Sequence, residues 1–180
     1  AATDIEENAF VANWEVPVSM EPTNYLLTVK EGDEVVEGYK DLNVAAVTSY
    51  KVEGLKVNTA YTYTVKAVYG ELISKVSNEI TVTTLVPAVK ALDATEIEEN
   101  AFVANWEAPV SIQPTNYLLT VKEGDAVVEA YVEKEVGTVL NCKVEGLKKN
   151  TVYTYTVKAV YGKNVAKASE PIEVRTLVAT

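Results

Sequence analysis

Length, composition and charge already limit the kinds of protein that this chain can be. Its 180 residues are 48% hydrophobic, which is enough for one or two packed domains, and 16 basic against 26 acidic residues give a net charge of −10. A negative field repels phosphate backbones and anionic lipid, so we expect no nucleic-acid partner. Since no apolar run approaches the roughly 18 residues of a membrane helix, we expect no membrane insertion either.

The first half of the chain has the pattern of short strands. In ENAFVANWE, at residues 7–15, the side chains of Phe10, Ala12 and Trp14 fall on one face of an extended segment. No window shows a convincing 3.6-residue period. Further strands are predicted, in chain order, in NYLLTVKEGDEVVEGY from residue 24, where Gly32-Asp33 makes a hairpin turn, in YTYTVKAVYG from residue 61, and in NEITVTTL from residue 78.

The second half of the chain repeats the first. A shift of 92 residues aligns Ala2–Leu85 with Ala94–Leu177 without a gap, and 58 of the 84 positions are identical. At about 90 residues, each copy is large enough to hold its own core. We therefore predict an all-β protein made of two tandem antiparallel β-sandwiches, with domains at 1–86 and 87–180.

The two copies differ at their beginnings. The second copy follows VKALD, at Val89–Asp93, which is typical of an initial strand, whereas Ala1 already aligns with Asp93. We therefore predict that the first domain lacks most of this strand. Its sheet should have a more exposed edge, and exposed edges invite pairing with other chains.

Several motifs recur in both copies with the same spacing. They are the tryptophans Trp14 and Trp106, each followed by a proline three residues later, the tyrosines Tyr25 and Tyr117, the runs GLKVNTAY and GLKKNTVY, and the endings VTTL and VRTL. Together they resemble the fibronectin type III module, twice, over essentially the whole chain. The resemblance implies two immunoglobulin-like sandwiches. It also implies that Trp14 and Trp106 are core residues, and that Tyr61 and Tyr153 form tyrosine corners, in which the hydroxyl bonds to backbone a few residues upstream.

The residue types needed for common catalytic and metal sites are scarce. The chain has no histidine and one cysteine, which excludes Ser-His-Asp and Cys-His catalysis and His-ligated metals, so we expect neither an enzyme nor a cofactor. Cys142 is interpreted as a small buried hydrophobe. The acid pairs Glu6-Glu7 and Glu98-Glu99 suggest calcium ligands, but adjacent acids before a strand are more often a solvated loop.

Aromatic residues offer a second kind of candidate site. The tryptophans have the flat faces that stack on sugars or proline-rich peptides. Each shares its strand face with Phe and Ala, however, which favours a core position over a binding platform. Four tyrosines near strand ends are the better candidates for exposed contacts: Tyr39, Tyr69, Tyr131 and Tyr161.

The differences between the copies point to loops. Of 26 differing positions, 19 lie in two windows, Gly38–Tyr50 and Glu71–Thr83. Sandwich loops often carry recognition because the strands fix their bases and leave their tips free to vary. Drift at unconstrained positions is the alternative interpretation. The second window and its repeat supply the candidate binding residues, which are Glu71, Leu72, Ser74, Lys75, Lys163, Asn164 and Lys167.

These patterns favour a non-enzymatic extracellular or cell-surface module within a larger exported bacterial protein. The cluster F-x-A-x-W resembles versions common in bacterial exported and surface proteins. The expected role is adhesion, or recognition of a protein or glycan, by a monomer. The alternative is a mechanical spacer that positions other domains and has no ligand of its own. The adhesive Arg-Gly-Asp tripeptide of some family members is absent, because the single arginine, Arg175, is followed by Thr and Leu.

Overall fold

The computed structural model describes residues 1–179 and divides the chain into two units, one at Ala1–Leu85 and one from Val86 onward. Within the described range the secondary structure is β-strand apart from one 3-10 turn at Glu129–Tyr131. Those residues include no helix of the length and apolar character needed to cross a bilayer. Each unit holds its own hydrophobic core.

The first unit is a sandwich of two antiparallel sheets. One sheet pairs β1 with β5, and the other has the order β3-β2-β6-β7, with β4 also on β2 and β8 on β6. The strands are β1 (Phe10–Asn13), β2 (Asn24–Glu31), β3 (Glu34–Val35), β4 (Leu42–Asn43), β5 (Ser49–Val52), β6 (Ala60–Tyr69), β7 (Leu72–Ile73) and β8 (Ile80–Thr83). Gly32 makes the β2–β3 turn with a φ of 58°, a left-handed conformation that favours glycine.

The second unit repeats this plan and adds a strand at its start. Its sheets have the orders β14-β10-β9 and β12-β11-β15-β16, with β13 also on β11 and β17 on β15. The strands are β9 (Lys90–Thr95), β10 (Phe102–Glu107), β11 (Asn116–Glu123), β12 (Ala126–Val127), β13 (Lys134–Glu135), β14 (Asn141–Val144), β15 (Val152–Tyr161), β16 (Asn164–Val165) and β17 (Ile172–Arg175).

Alternation along the strands explains where the cores lie. On β2 and β11 every second residue is buried, and Leu27 and Leu119 at their centres are fully so. These strands pair with β6 and β15, which alternate in the same way. A period of two places one face of each sheet inward, and the burial of those apolar faces drives the two sheets together. The predicted all-β fold of two tandem sandwiches is therefore confirmed.

The initial strand distinguishes the two units. In the second unit β9 pairs with β10 along most of its length. In the first unit the corresponding contact with β1 is a single bridge between Thr3 and Val11. Val86 and Val89, from the segment that leads into β9, pack in the core of the second unit.

Candidate functional site

The two tryptophans do not have the same surroundings. Trp106 is 2% exposed and packs on Tyr117, with ring centroids 5.7 Å apart. Trp14 makes the equivalent contact with Tyr25 at 5.5 Å, but it is only partly buried and lies at the border of its core. Both rings were predicted from the sequence to be core residues. The difference arises because Ala91 of β9 lies opposite Trp106, whereas no described strand covers Trp14.

An asparagine in the repeated phrase holds the start of each unit in place. The Asn105 amide donates to the Asp93 carbonyl (3.0 Å), to the Thr95 hydroxyl (3.0 Å) and to the Val103 carbonyl (3.1 Å). This is where the β9–β10 register shifts, and a bulge leaves backbone groups that a side-chain amide can satisfy. The Asn13 amide makes the equivalent bonds, including 3.0 Å to the Ala1 carbonyl. This role was not predicted from the sequence, although the Asn-Trp pair that recurs in both copies was a signal for it.

The predicted tyrosine-corner residues lie at equivalent places in the two units. The Lys56 N–H donates to the Tyr61 hydroxyl and the Lys148 N–H to the Tyr153 hydroxyl, both at 2.9 Å and both five residues upstream. Both tyrosines are 2% exposed. Each hydroxyl satisfies a backbone donor at the turn before β6 or β15, so the pair has a structural role in this geometry.

A second pair of tyrosines contacts the region of the initial strand. The Tyr155 hydroxyl donates to the carbonyl of Leu92, in β9. Its counterpart Tyr63 donates to the carbonyl of Asn13, in β1, at 3.0 Å. Burial raises the pKa of both hydroxyls, so both remain protonated donors at neutral pH. The two equivalent tyrosines therefore bond to strands that are not equivalent: Tyr155 bonds to β9, and Tyr63 bonds to β1.

The first unit has a groove at the position that β9 occupies in the second. This edge groove has a volume of about 360 Å³ and runs from the outer edge of β1 towards β8, over residues that include Asn13, Trp14, Tyr63, Ser77 and Ile80. In the second unit, β9 packs against β10, β15 and β17, the strands that correspond to the walls of the edge groove. Among the described residues, the strand pairing at this edge of the first sandwich is the bridge between Thr3 and Val11.

The candidate binding residues lie mostly on exposed hairpins. In the first unit, Glu71, Leu72 and Lys75 are exposed, and the exposed fraction of Leu72 is 71%. In the second unit Lys163, Asn164 and Lys167 are exposed. Ser74 differs, because its hydroxyl accepts from the Ala67 N–H at 2.9 Å and donates to the Lys75 carbonyl at 2.7 Å. Ser74 therefore anchors the hairpin to β6.

Two of the four tyrosines expected at the surface are buried. Tyr131 and Tyr161 are 5% and 8% exposed, and the Tyr161 hydroxyl donates to the Pro87 carbonyl at 2.8 Å. Tyr39 accepts from the Glu53 N–H at 2.8 Å, while Tyr69 is partly buried. The expectation was wrong for Tyr131 and Tyr161, because both rings pack in the core of the second unit and the Tyr161 hydroxyl bonds to the segment before β9.

The acid pairs do not converge on a common point. Glu6 and Glu98 each pair with a lysine of the facing strand, at 3.4 Å and 3.1 Å, and Glu99 pairs with Lys149 at 2.8 Å. Over residues 1–179, no three His, Cys, Asp or Glu side chains lie close enough together to hold a metal ion. Cys142, interpreted as a small buried hydrophobe, is partly buried on β14 and packs against the core of the second unit, and burial raises the pKa of its thiol.

Comparison with known proteins supports one family. The model of the fibronectin type III domain matches residues 1–83 and again 87–175. Human neogenin is 28% identical over 148 residues, which cover 77% of this chain and 10% of neogenin. Exoglucanase B of Cellulomonas fimi is 30% identical over 155 residues, which cover 81% of this chain and 14% of that enzyme. The chain thus spans about a tenth of the length of these relatives.

A solved structure agrees with this assignment. The segment of two fibronectin type III domains from chicken tenascin is 23% identical, and it superposes with a TM-score of 0.57 over 97% of this chain and 95% of that segment. At this identity the likeness concerns the fold. The family match covers nearly the whole chain and agrees with the resemblance found in the sequence. The chain belongs to the fibronectin type III family and carries two of its domains in tandem.

Proposed function

We propose that this chain is a non-catalytic module of an extracellular or cell-surface protein, exported by a bacterium, and that it recognises a protein or glycan through the β7 hairpin of its first unit. The fibronectin type III fold is typically a non-catalytic module, and this chain has no histidine. Its acidic surface and single cysteine suit an exported domain that folds without disulfides.

The observation that carries the recognition role is a set of exposed apolar side chains. Leu72, Ile73 and Val76 are 71%, 58% and 54% exposed within five residues of each other. Exposed apolar residues grouped in this way mark interaction sites more often than those scattered singly. At the equivalent positions the second unit has Asn164, Val165 and Ala168, which are smaller or more polar. The two hairpins share a scaffold and differ in apolar surface.

An exchange between the units tests this role. The triple variant Leu72→Asn, Ile73→Val, Val76→Ala gives the first hairpin the residues of the second. On a glycan array and a protein array, we expect the parent chain to show saturable binding to a probe and the triple variant to bind it at least about tenfold more weakly, because the apolar contact is lost.

The matched control is the reverse exchange, Asn164→Leu, Val165→Ile, Ala168→Val. It adds apolar surface to the second hairpin without altering the first, so binding should be retained or increased. A parent chain without any saturable binding, or a triple variant that binds as tightly as the parent, would contradict the recognition role.

The mechanical spacer is the second candidate. It is favoured by the conservation of the core during duplication, since 58 of 84 positions are identical while the hairpins diverged. A spacer requires two stable units and no binding energy in any loop. Negative arrays combined with cooperative unfolding of both units would therefore support this role.

A further inference from the structure

We propose that the β7 hairpin and the loop between β1 and β2 form one docking surface, the loop-end surface, for a polypeptide segment that is both basic and apolar. The surface consists of Val18, Met20 and Glu21 from the loop and of Glu71, Leu72 and Ile73 from the hairpin. This inference rests on the function proposed for the hairpin, and it names the chemistry of the partner as protein rather than glycan.

Hydrogen bonds fasten the two segments to each other. The Thr23 N–H donates to the Val68 carbonyl at 2.7 Å, and the Gly70 N–H donates to the Thr23 hydroxyl at 3.3 Å. Pro17 of the loop and Lys75, which follows β7, also lie against the same hollow. Because both segments are fixed at the end of β6, their exposed side chains lie at one end of the sandwich.

The centre of the loop-end surface is aliphatic and exposed. Val18 is fully exposed and Met20 is 59% exposed. Leu72 and Ile73, which the hairpin contributes, are also more than half exposed. Burial of such grouped apolar side chains against a partner is the main favourable term in protein association. Aliphatic side chains have no flat ring on which a sugar can stack, so this chemistry favours an apolar protein segment.

Exposure at this end of a unit does not depend on the initial strand. Val110 and Val165 are the counterparts of Val18 and Ile73 in the second unit, where β9 is in place. They are 99% and 50% exposed. The strand that pairs with β10 therefore leaves the equivalent end of that sandwich uncovered, and exposure here is a property of the loops themselves.

The charges beside the aliphatic centre define the rest of the partner. Glu21 and Glu71 are exposed, and neither forms an ion pair with another described residue. Carboxylates next to an apolar contact favour lysine or arginine on the opposing surface, and the net charge of −10 attracts such a partner from a distance. The partner is thus a segment whose apolar side chains are flanked by lysine or arginine.

The second unit carries the same loops with different chemistry. Gln113 and Lys163 take the places of the two glutamates, and Asn164 takes the place of the hairpin leucine. Ile112, at the position of Met20, packs against the core of its unit. The segment that the first unit attracts should therefore be rejected by the second unit.

The test selects 12-residue peptides from a random display library on the full chain. Peptides that also bind the triple variant Leu72→Asn, Ile73→Val, Val76→Ala are removed, which leaves those directed at the hairpin. We expect the remaining peptides to contain more lysine and arginine, together with leucine, isoleucine and valine, than the unselected library. Their affinity for the parent chain should fall as the salt concentration rises, because exposed charges are screened.

Binding kinetics separate the two parts of the loop-end surface. Glu21→Gln combined with Glu71→Lys gives the first unit the charges of the second. It should lower the association rate constant of the selected peptides by about five- to tenfold, since charges at the rim act mainly on the encounter. Met20→Ser should instead raise the dissociation rate constant at least about threefold, because an apolar contact is lost.

A matched control changes the net charge equally at another place. Glu129→Gln combined with Glu170→Lys should leave the association rate constant within about twofold of the parent value. All of these side chains are exposed, so none of the variants is expected to impair folding.

The proposal is overturned if the selected peptides are no richer in lysine and arginine than the library. It is also overturned if they associate with the Glu21→Gln, Glu71→Lys variant as fast as with the parent chain. Either result leaves the recognition role of the hairpin in place. A selection without any peptide that distinguishes the parent chain from the triple variant overturns the proposal too, and the array experiment then decides whether the hairpin recognises a glycan.

Discussion

Replacing Trp106 with alanine is expected to lower the free energy of unfolding of the second unit by about 3–5 kcal/mol. The ring is 2% exposed and packs on Tyr117, beneath β9, so its removal leaves a cavity that the two sheets cannot easily close. Urea unfolding followed by far-ultraviolet circular dichroism measures the loss. Trp14 is then the sole tryptophan, and its fluorescence should report an unchanged transition for the first unit.

The matched variant is Trp14→Ala. Its cost should be clearly smaller, because Trp14 is only partly buried and part of its ring surface is already in contact with water. Equal losses for the two variants would show that β9 contributes nothing to the difference between the rings. A Trp106 variant as stable as the parent would remove that residue from the core.

The second large effect is expected at the tyrosine corners. Tyr153→Phe removes the acceptor of the Lys148 N–H and should lower the unfolding free energy of the second unit by about 1–3 kcal/mol, since a partly buried donor is left without a partner. Tyr61→Phe should cost the first unit a similar amount, because the two bonds have the same length of 2.9 Å. Urea unfolding of both variants measures the two losses.

Variants at the other tyrosine pair distinguish this effect from a general loss of hydroxyl groups. Tyr155→Phe removes a bond to β9, whereas Tyr63→Phe removes a bond within the first unit to β1. Tyr155→Phe should therefore lower the unfolding free energy of its unit more than Tyr63→Phe does. The two corner variants should lower the unfolding free energies of their units by similar amounts. Corner variants that differ as strongly as this second pair would contradict the structural equivalence of the corners.

Much of the fold was predictable because its signals are local and repeated. Alternation in FVANW, and in the tyrosine-rich strand that begins at Tyr61, specifies which face of each strand is apolar, and duplication shows the same pattern twice. The exposure of the candidate hairpin residues was predictable for a related reason. Differences between two copies of one scaffold concentrate where packing does not restrict the side chain, as at Leu72 and Asn164, which are both exposed.

Other features were beyond such reasoning because they depend on contacts distant in sequence. The register shift between β9 and β10 creates the acceptors that Asn105 uses, and no local pattern reveals it. Tyr131 and Tyr161 lie near strand ends, where exposure is the simple expectation, yet segments elsewhere in the second unit bury them. Ser74 looked free for a partner, but its hydroxyl bonds to the backbone of β6.

The sequence by itself determined that this protein is a pair of β-sandwiches of one family, because period-two alternation and repeated motifs are local features that do not depend on contacts between distant residues. Only the tertiary structure decided that the two copies of ENAFVANWE have different environments. Whether a tryptophan is buried depends on a strand that pairs from outside the phrase. In the second unit β9 covers Trp106, and in the first unit the same nine residues border an open groove.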